Sequence, residues 1–169
     1  CWKTGGASAW VTGSYDVESN TLLYGTGNPV PMYDPEYRPG DNLYSNSTLA
    51  IDADTGKLKW HFQYTPGDYL DYDEVGTHLL YEAKINGENR KVLGHYGRNG
   101  FFYTFDRTNG SFISAKQYID DLNWTKGIDP KTGKPLDYEP GQALQVYALG
   151  AANRSRRDQG AIDVCPHLQ

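Results

Sequence analysis

Short alternating or continuous apolar runs, each closed by a cluster of Gly, Asn, Asp or Pro, succeed one another along this chain and predict β-strands joined by tight turns. The clearest unit runs from Ala50 to Trp60. Ala50-Ile51 is an apolar strand end, Asp52 can cap a turn by bonding its own backbone, Gly56 stands where φ must be positive, and Lys57-Leu58-Lys59-Trp60 alternates away from it. Weaker copies begin at Asp16 (Asp16-Val17-Glu18-Ser19-Asn20) and Asp106 (Asp106-Arg107-Thr108-Asn109-Gly110), so the turns start 36 and 54 residues apart. That spacing brackets the ~40 to 50 residues of one four-stranded propeller blade. Thr77 to Ala83 and Lys91 to His95 flank Asn86-Gly87, a strong hairpin signal, and Phe101 to Phe105 follows as an aromatic strand of the same blade. Asp129-Pro130-Lys131-Thr132-Gly133 repeats the turn chemistry too soon to open another blade and reads as an insertion loop. Residues 29–42 and 120–160 are rich in breakers and have no period, as loops at the mouth of a site or against a partner do. The residues alone predict an all-β chain, a β-propeller or a β-sandwich, and the repeated turn-to-Trp unit favours propeller blades.

Fourteen Tyr, four Trp and nineteen Gly against one Met agree with many short strands and tight loops. A net charge of -5 excludes an electrostatic nucleic-acid footprint, which needs a clustered basic face. The one basic cluster, Arg154 with Arg156 and Arg157, is short and reads as a solvated loop. No apolar run approaches the ~20 residues that span a bilayer. Cys1 and Cys165 form no framework, and the absence of CxxC and CxxCH gives no sign of zinc or of covalent haem in this stretch. Four sequons, at Asn46, Asn109, Asn123 and Asn153, are the chance yield of an Asn- and Ser/Thr-rich sequence.

Three stretches carry candidate chemistry. Asp71-Tyr72-Asp73 has two carboxylates in alternate positions, Gly25-Thr26-Gly27-Asn28-Pro29 an amide oxygen, and Gly97-Arg98-Asn99-Gly100 a guanidinium. Hard oxygen donors suit a cation, and a guanidinium suits an anionic partner. In this order, and with the Gly5-Gly6-Ala7-Ser8-Ala9-Trp10 opening, they resemble the quinoprotein alcohol dehydrogenases, the methanol and ethanol dehydrogenase family that uses pyrroloquinoline quinone. The resemblance runs across nearly the whole chain. It implies an eight-bladed propeller, of which residues 1–169 are a few consecutive blades with an irregular insertion around 120–160. Family members are several times longer, so a fragment, inactive alone, is expected.

The resemblance also implies roles. Trp10 matches the family's floor beneath the quinone, a role for which an indole is the largest flat surface available. Ser8 matches a hydroxyl residue that contacts a cofactor carboxylate, and Arg98 an arginine that donates to the quinone oxygens, through a fork lysine could not supply. Asn28 matches a metal ligand; on its own chemistry it could equally close an Asx turn. Asp71 matches the catalytic base, which takes the proton of a primary alcohol while hydride passes to the quinone, a metal ion polarising the quinone carbonyl. Asp68, nearby, reads instead as a capping turn residue. Asp73 matches the position at which an extra carboxylate marks the lanthanide-using branch, the calcium branch usually carrying a small or uncharged residue. In an extended segment Asp71 and Asp73 would face one cation, and a trivalent ion is helped by the added anionic ligand. A metal-binding Glu, an adjacent-Cys disulfide ring and further cofactor contacts lie outside this segment.

The family further implies a small alcohol substrate, a cytochrome c electron acceptor, a periplasmic location, and a disulfide from Cys165 to a Cys beyond Gln169; a buried free thiol is the alternative. Two other readings stay open: a non-catalytic propeller scaffold of the outer-membrane assembly type, which has no use for Asn28, Asp71 or Arg98, and a sugar- or polyol-oxidising quinoprotein.

Overall fold

The structure, a computed structural model, describes residues 6–145 and 147. Cys1, Cys165 with its expected disulfide, the Arg154, Arg156 and Arg157 cluster, the Asn153 sequon and the far part of the 120–160 insertion lie outside them. Eight strands form two four-stranded antiparallel meanders. The first contains β1 (Ser14–Asp16), β2 (Thr21–Gly25), β3 (Ser47–Asp52) and β4 (Leu58–Gln63); the second contains β5 (Leu79–Ile85), β6 (Glu88–Tyr96), β7 (Phe101–Asp106) and β8 (Phe112–Gln117). Each is the size and order of one propeller blade. The two are internal repeats down to an irregularity: the register shifts between Ala50 and Ile51 in β3 and between Thr104 and Phe105 in β7, just before the turn aspartates Asp52 and Asp106.

Turn chemistry follows the sequence. The Asp52 carboxylate accepts the Thr55 N–H at 2.9 Å and its hydroxyl at 2.8 Å, and Asp106 accepts the Thr108 N–H at 2.9 Å. Asn86-Gly87 has positive φ at both residues, 51° and 88°, as a two-residue hairpin turn requires. Asp129 accepts from Lys131 and Thr132, the same device in a stretch without a named strand. Lys134 then reaches back from that loop and donates to the Gln63 carbonyl at 2.7 Å, with its ammonium 5.0 Å from the Phe62 ring centre. Burial pulls its pKa down to about 8.

The core lies between the sheets and is aromatic. Phe62 meets Phe105 at 4.6 Å and Tyr64 meets Tyr103 at 4.7 Å between ring centres, with Leu23, Ala50 and Leu93 buried around them. At the turn end, buried Arg107 spans the blades, donating to the Tyr81 carbonyl and pairing with Asp16 at 3.3 Å and Glu18 at 3.2 Å. Trp60, from β4, lies against the β7–β8 turn, where a Cβ on Gly110 would fall 2.5 Å from its indole.

An up-and-down meander sorts its connections by parity. The β1–β2, β3–β4, β5–β6 and β7–β8 turns fall at one end. The 26–46 loop after β2, the 64–78 crossing between sheets and the 97–100 turn after β6 fall at the other. Asn28, Asp71, Asp73 and Arg98 all belong to the second end.

Gly56 and Gly110 occupy equivalent turns, with φ of 70° and 76°, but Gly56 has open space around it. Gly56→Ala is expected to lower stability by ~1–2 kcal/mol, the left-handed backbone alone. Gly110→Ala should lose a further ~1–3 kcal/mol through overpacking against Trp60. Denaturant unfolding of the two variants measures the difference.

Candidate cofactor and metal site

Asp73 is where the loops join. Its Oδ1 accepts the Asn28 main-chain N–H at 3.0 Å, and its Oδ2 accepts from Arg98 Nη1 at 3.2 Å. Only glycine at position 27 permits this approach, since a Cβ there would lie 2.6 Å from Asp73 Oδ1 and 3.5 Å from Trp10 Nε1. The lead-in segment runs alongside: the Ser8 carbonyl accepts the Gly27 N–H at 2.9 Å, and the Ala7 N–H donates to the Asn28 carbonyl at 2.9 Å. Ser8, Trp10, Gly27, Asn28, Asp73 and Arg98 therefore share one neighbourhood. Ser8 meets it through its main chain.

The surfaces suit a bound planar anion and a cation. The Trp10 indole is 63% exposed beside this charged cluster, a flat face open for stacking. Asn28 Nδ2 donates to the Pro29 carbonyl at 2.9 Å, which commits the N–H edge of the amide to the chain and leaves its oxygen edge for a cation. Asn28, Asp71, Asp73 and Arg98 are all half-buried. The donor set of one amide and two carboxylates is oxygen-only, the kind that hard cations take. Among the described residues no three His, Cys, Asp or Glu side chains cluster for a metal, so a complete shell here would draw on further donors.

The extended segment expected for Asp71 to Asp73 is absent. Both aspartates have left-handed backbone, φ 63° and 47°, a conformation Asp tolerates better than most side chains. The cause is Asp68. Its buried carboxylate accepts the Leu70 N–H at 2.8 Å, the Tyr72 N–H at 2.9 Å and the Asn46 side-chain amide at 2.6 Å, curling the chain around itself. Asp68 is thus the capping residue expected. Arg38 anchors the same turn, donating to the Asp68 carbonyl, to Pro31 and Met32 carbonyls at 2.7 and 2.9 Å, and to the Asn42 side chain at 2.6 Å. The loop it pins carries Tyr33, whose hydroxyl lies 3.4 Å from Asp71 Oδ2. So alternation does not align the two carboxylates; a wound turn brings Asp73 into the cluster and sets Asp71 against Tyr33.

Behind the site, fully buried Glu74 accepts the Arg98 main-chain N–H at 3.1 Å and meets His95 Nε2 at 2.9 Å. Burial pushes the Glu74 carboxyl up to about 8 against the pull of the main-chain donors, and the His95 imidazole down to about 3. Both shifts favour a neutral hydrogen bond over an ion pair. The His95 ring stacks on His78, which bonds Thr48 at 2.6 Å, and so this polar line crosses from the second blade to the first. Neither Arg38 nor the Glu74–His95 pair was visible in the sequence. Arg38 is hidden in an unperiodic loop, and Glu74 next to two aspartates looks like one more solvated carboxylate.

Residues 1–115 match the family described as the glucose/ethanol/alcohol dehydrogenase β-propeller domain. The chain belongs to that family, and its two sheets are propeller blades. A quinoprotein alcohol dehydrogenase, PedH, of Pseudomonas putida is 49% identical over 80% of this chain and 22% of its own length. Methanol dehydrogenase [cytochrome c] subunit 1 of Methylorubrum extorquens is 41% identical over 98% of this chain and 24% of its own. Among solved structures, a europium-containing methanol dehydrogenase superposes with a TM-score of 0.75 at 38% identity, covering 79% of this chain and 23% of that one. The chain thus spans 22% and 24% of the length of the two curated relatives.

Asp68→Ala strands three donors and is expected to destabilise by ~2–5 kcal/mol. Burial holds the Asp68 carboxyl at about 6 in the folded chain, so folding takes up a proton as pH falls. Its contribution is full below the unfolded carboxylate pKa near 3.9 and is lost as pH rises through about 6. Glu74 and His95 also titrate on unfolding in this window, so the test is the difference between wild type and Asp68→Asn, whose unfolding free energies should converge by this contribution between pH 4 and pH 7.

Proposed function

We propose that this chain is a run of consecutive blades, residues 1–169 with an irregular insertion around 120–160, of a pyrroloquinoline quinone-dependent alcohol dehydrogenase. The observation that carries the reading is the Asp73 junction beside an open indole. A carboxylate tied to both Asn28 and Arg98, beside a Trp face 63% exposed, is suited to a flat, anionic, metal-chelating cofactor. Trp10 would stack on that cofactor, with Ser8 beside it. Arg98 would hold its oxygens, and Asn28, Asp71 and Asp73 would be oxygen donors to the cation.

The quinone, when bound, supplies a two-electron acceptor that these side chains lack. The chain's own part is binding, orientation and one proton. Asp71 accepts the proton of a primary alcohol, and the Tyr33 hydroxyl at 3.4 Å restrains the carboxylate that does so. Arg98, held through its main chain by Glu74 and through its guanidinium by Asp73, keeps its donors fixed. A cytochrome c is the electron acceptor and the periplasm the location, readings supported by family membership and by the cytochrome c named with the Methylorubrum relative. The second carboxylate favours a lanthanide over calcium, because a trivalent ion is better balanced by an added anionic ligand. The europium-containing relative supports this.

The full-length protein is expected to oxidise primary alcohols in a dye-linked assay only with the quinone and a cation present. Asp71→Asn should abolish turnover while the cofactor remains bound, since the amide keeps the packing and loses the base. La³⁺ should activate the apo-enzyme far better than Ca²⁺, and Asp73→Ala should erase that preference. Activity without quinone, near-native turnover of Asp71→Asn, or full activity with Ca²⁺ unaffected by Asp73→Ala would each overturn the corresponding assignment.

A further inference from the structure

We propose that Trp124 is a positioning residue for this site, a single buried indole that holds the turn carrying Asp71 and Asp73 and the turn carrying Arg98 in fixed relation. Trp124 belongs to neither sheet; it comes from the irregular stretch after β8 and is 1% exposed. Its Nε1 donates to the Asn99 carbonyl at 2.7 Å, next in sequence to Arg98. Its ring lies 5.4 Å from that of Tyr72, the residue between the two aspartates, itself 1% exposed.

Each link is stiff. A buried indole N–H has to find an acceptor, so the bond to Asn99 fixes the rotation of the ring. Asn99 is held in turn by its own side chain, which donates to the Tyr103 hydroxyl at 2.8 Å. On the other side, the Tyr72 main chain is tied to Asp68 at 2.9 Å. Phe101 and Tyr147, at 6.5 and 5.2 Å between ring centres, close the indole in. Across this plate the Asp73–Arg98 ion pair joins the same two turns on the outside, the Glu74 bond to the Arg98 main-chain N–H joins them behind it, and Trp124 adds a buried link from the insertion. A smaller or donor-free side chain would leave the turns joined only through Glu74, Asp73 and Thr65 and so looser relative to one another, and displacements on the order of 1 Å matter at a reacting centre. The insertion is therefore part of the site's construction. The bearing on catalysis rests on the function proposed above; the mechanical coupling of the two turns does not.

The test uses the full-length protein and Trp124→Phe, which keeps most of the ring and removes the N–H. Hydrogen exchange without cofactor should quicken together in residues 70–74 and 97–100 while β7 is unchanged. Quinone affinity should weaken about three- to tenfold, the loss of one buried hydrogen bond, and kcat should fall with little change in KM. Tyr72→Leu, which removes the other contact, should loosen residues 97–100 at a distance and serves if Trp124→Phe does not fold. Unchanged exchange in both turns, or loosening spread evenly through β7 with quinone affinity per folded molecule intact, would make Trp124 a core filler and overturn the proposal. A wild-type protein that binds no quinone would sink the proposed function, while the exchange result would still decide whether Trp124 couples the turns.

Discussion

One carboxylate ties two blades together at the place where chemistry is expected. Asp73 takes a main-chain N–H from the 26–46 loop of the first blade and a guanidinium from the 97–100 turn of the second. It can do so only because position 27 has no side chain. The bond at Asn28 is to the backbone, so it sets where the amide side chain starts; the bond to Arg98 is to the tip, so it sets where the cation ends. Because the pair is half-exposed, its direct contribution to stability is small, on the order of 1 kcal/mol or less. Its importance is geometric, and the rigidity comes from what lies behind it.

That rigidity is unevenly distributed. At the turn end, Arg107 pairs with Asp16 and Glu18, and Trp60 seals the β7–β8 turn. In the middle, tilted and edge-on aromatics from β4, β7 and the segments that follow fill the space between sheets. At the site end, buried polar groups replace apolar ones: Asp68 with Asn46, Glu74 with His95, His78 with Thr48, Arg38 with three carbonyls. Such groups are stabilising only while their partners are in place, so they favour one arrangement of the loops where an apolar filling would permit several, although Asn46 Oδ1, Glu74 Oε1, His78 Nδ1 and His95 Nδ1 have no partner of their own among the described residues. Burial drives both members of the Glu74–His95 pair toward neutrality.

The strands and turns were legible because their signals are local. The Ala50 to Trp60 unit, the Asn86-Gly87 hairpin and the turn aspartates act within a few residues, and each forms as its chemistry requires. Asn28, Trp10, Asp73 and Arg98 could be named from short motifs, and parity of the meander explains why loops so far apart in sequence meet. The path of the Asp71–Asp73 stretch was not legible. An x-Asp-x-Asp pattern looks extended, but its shape is set by a carboxylate three residues upstream and an Arg thirty residues away from that carboxylate, neither of which a local reading weighs. Trp124 escaped for the same reason: an indole in an irregular loop declares its partners only when the chain has folded.

The most direct test of this account is a structure of the full-length holo-protein, with the metal located by anomalous scattering. The expected result is a lanthanide bonded to the Asn28 side-chain oxygen and the Asp71 and Asp73 carboxylates, with the quinone on the Trp10 indole and within reach of Arg98. A metal bound elsewhere, with Asp73 engaged only by Asn28 and Arg98 and nothing stacked on Trp10, would contradict it.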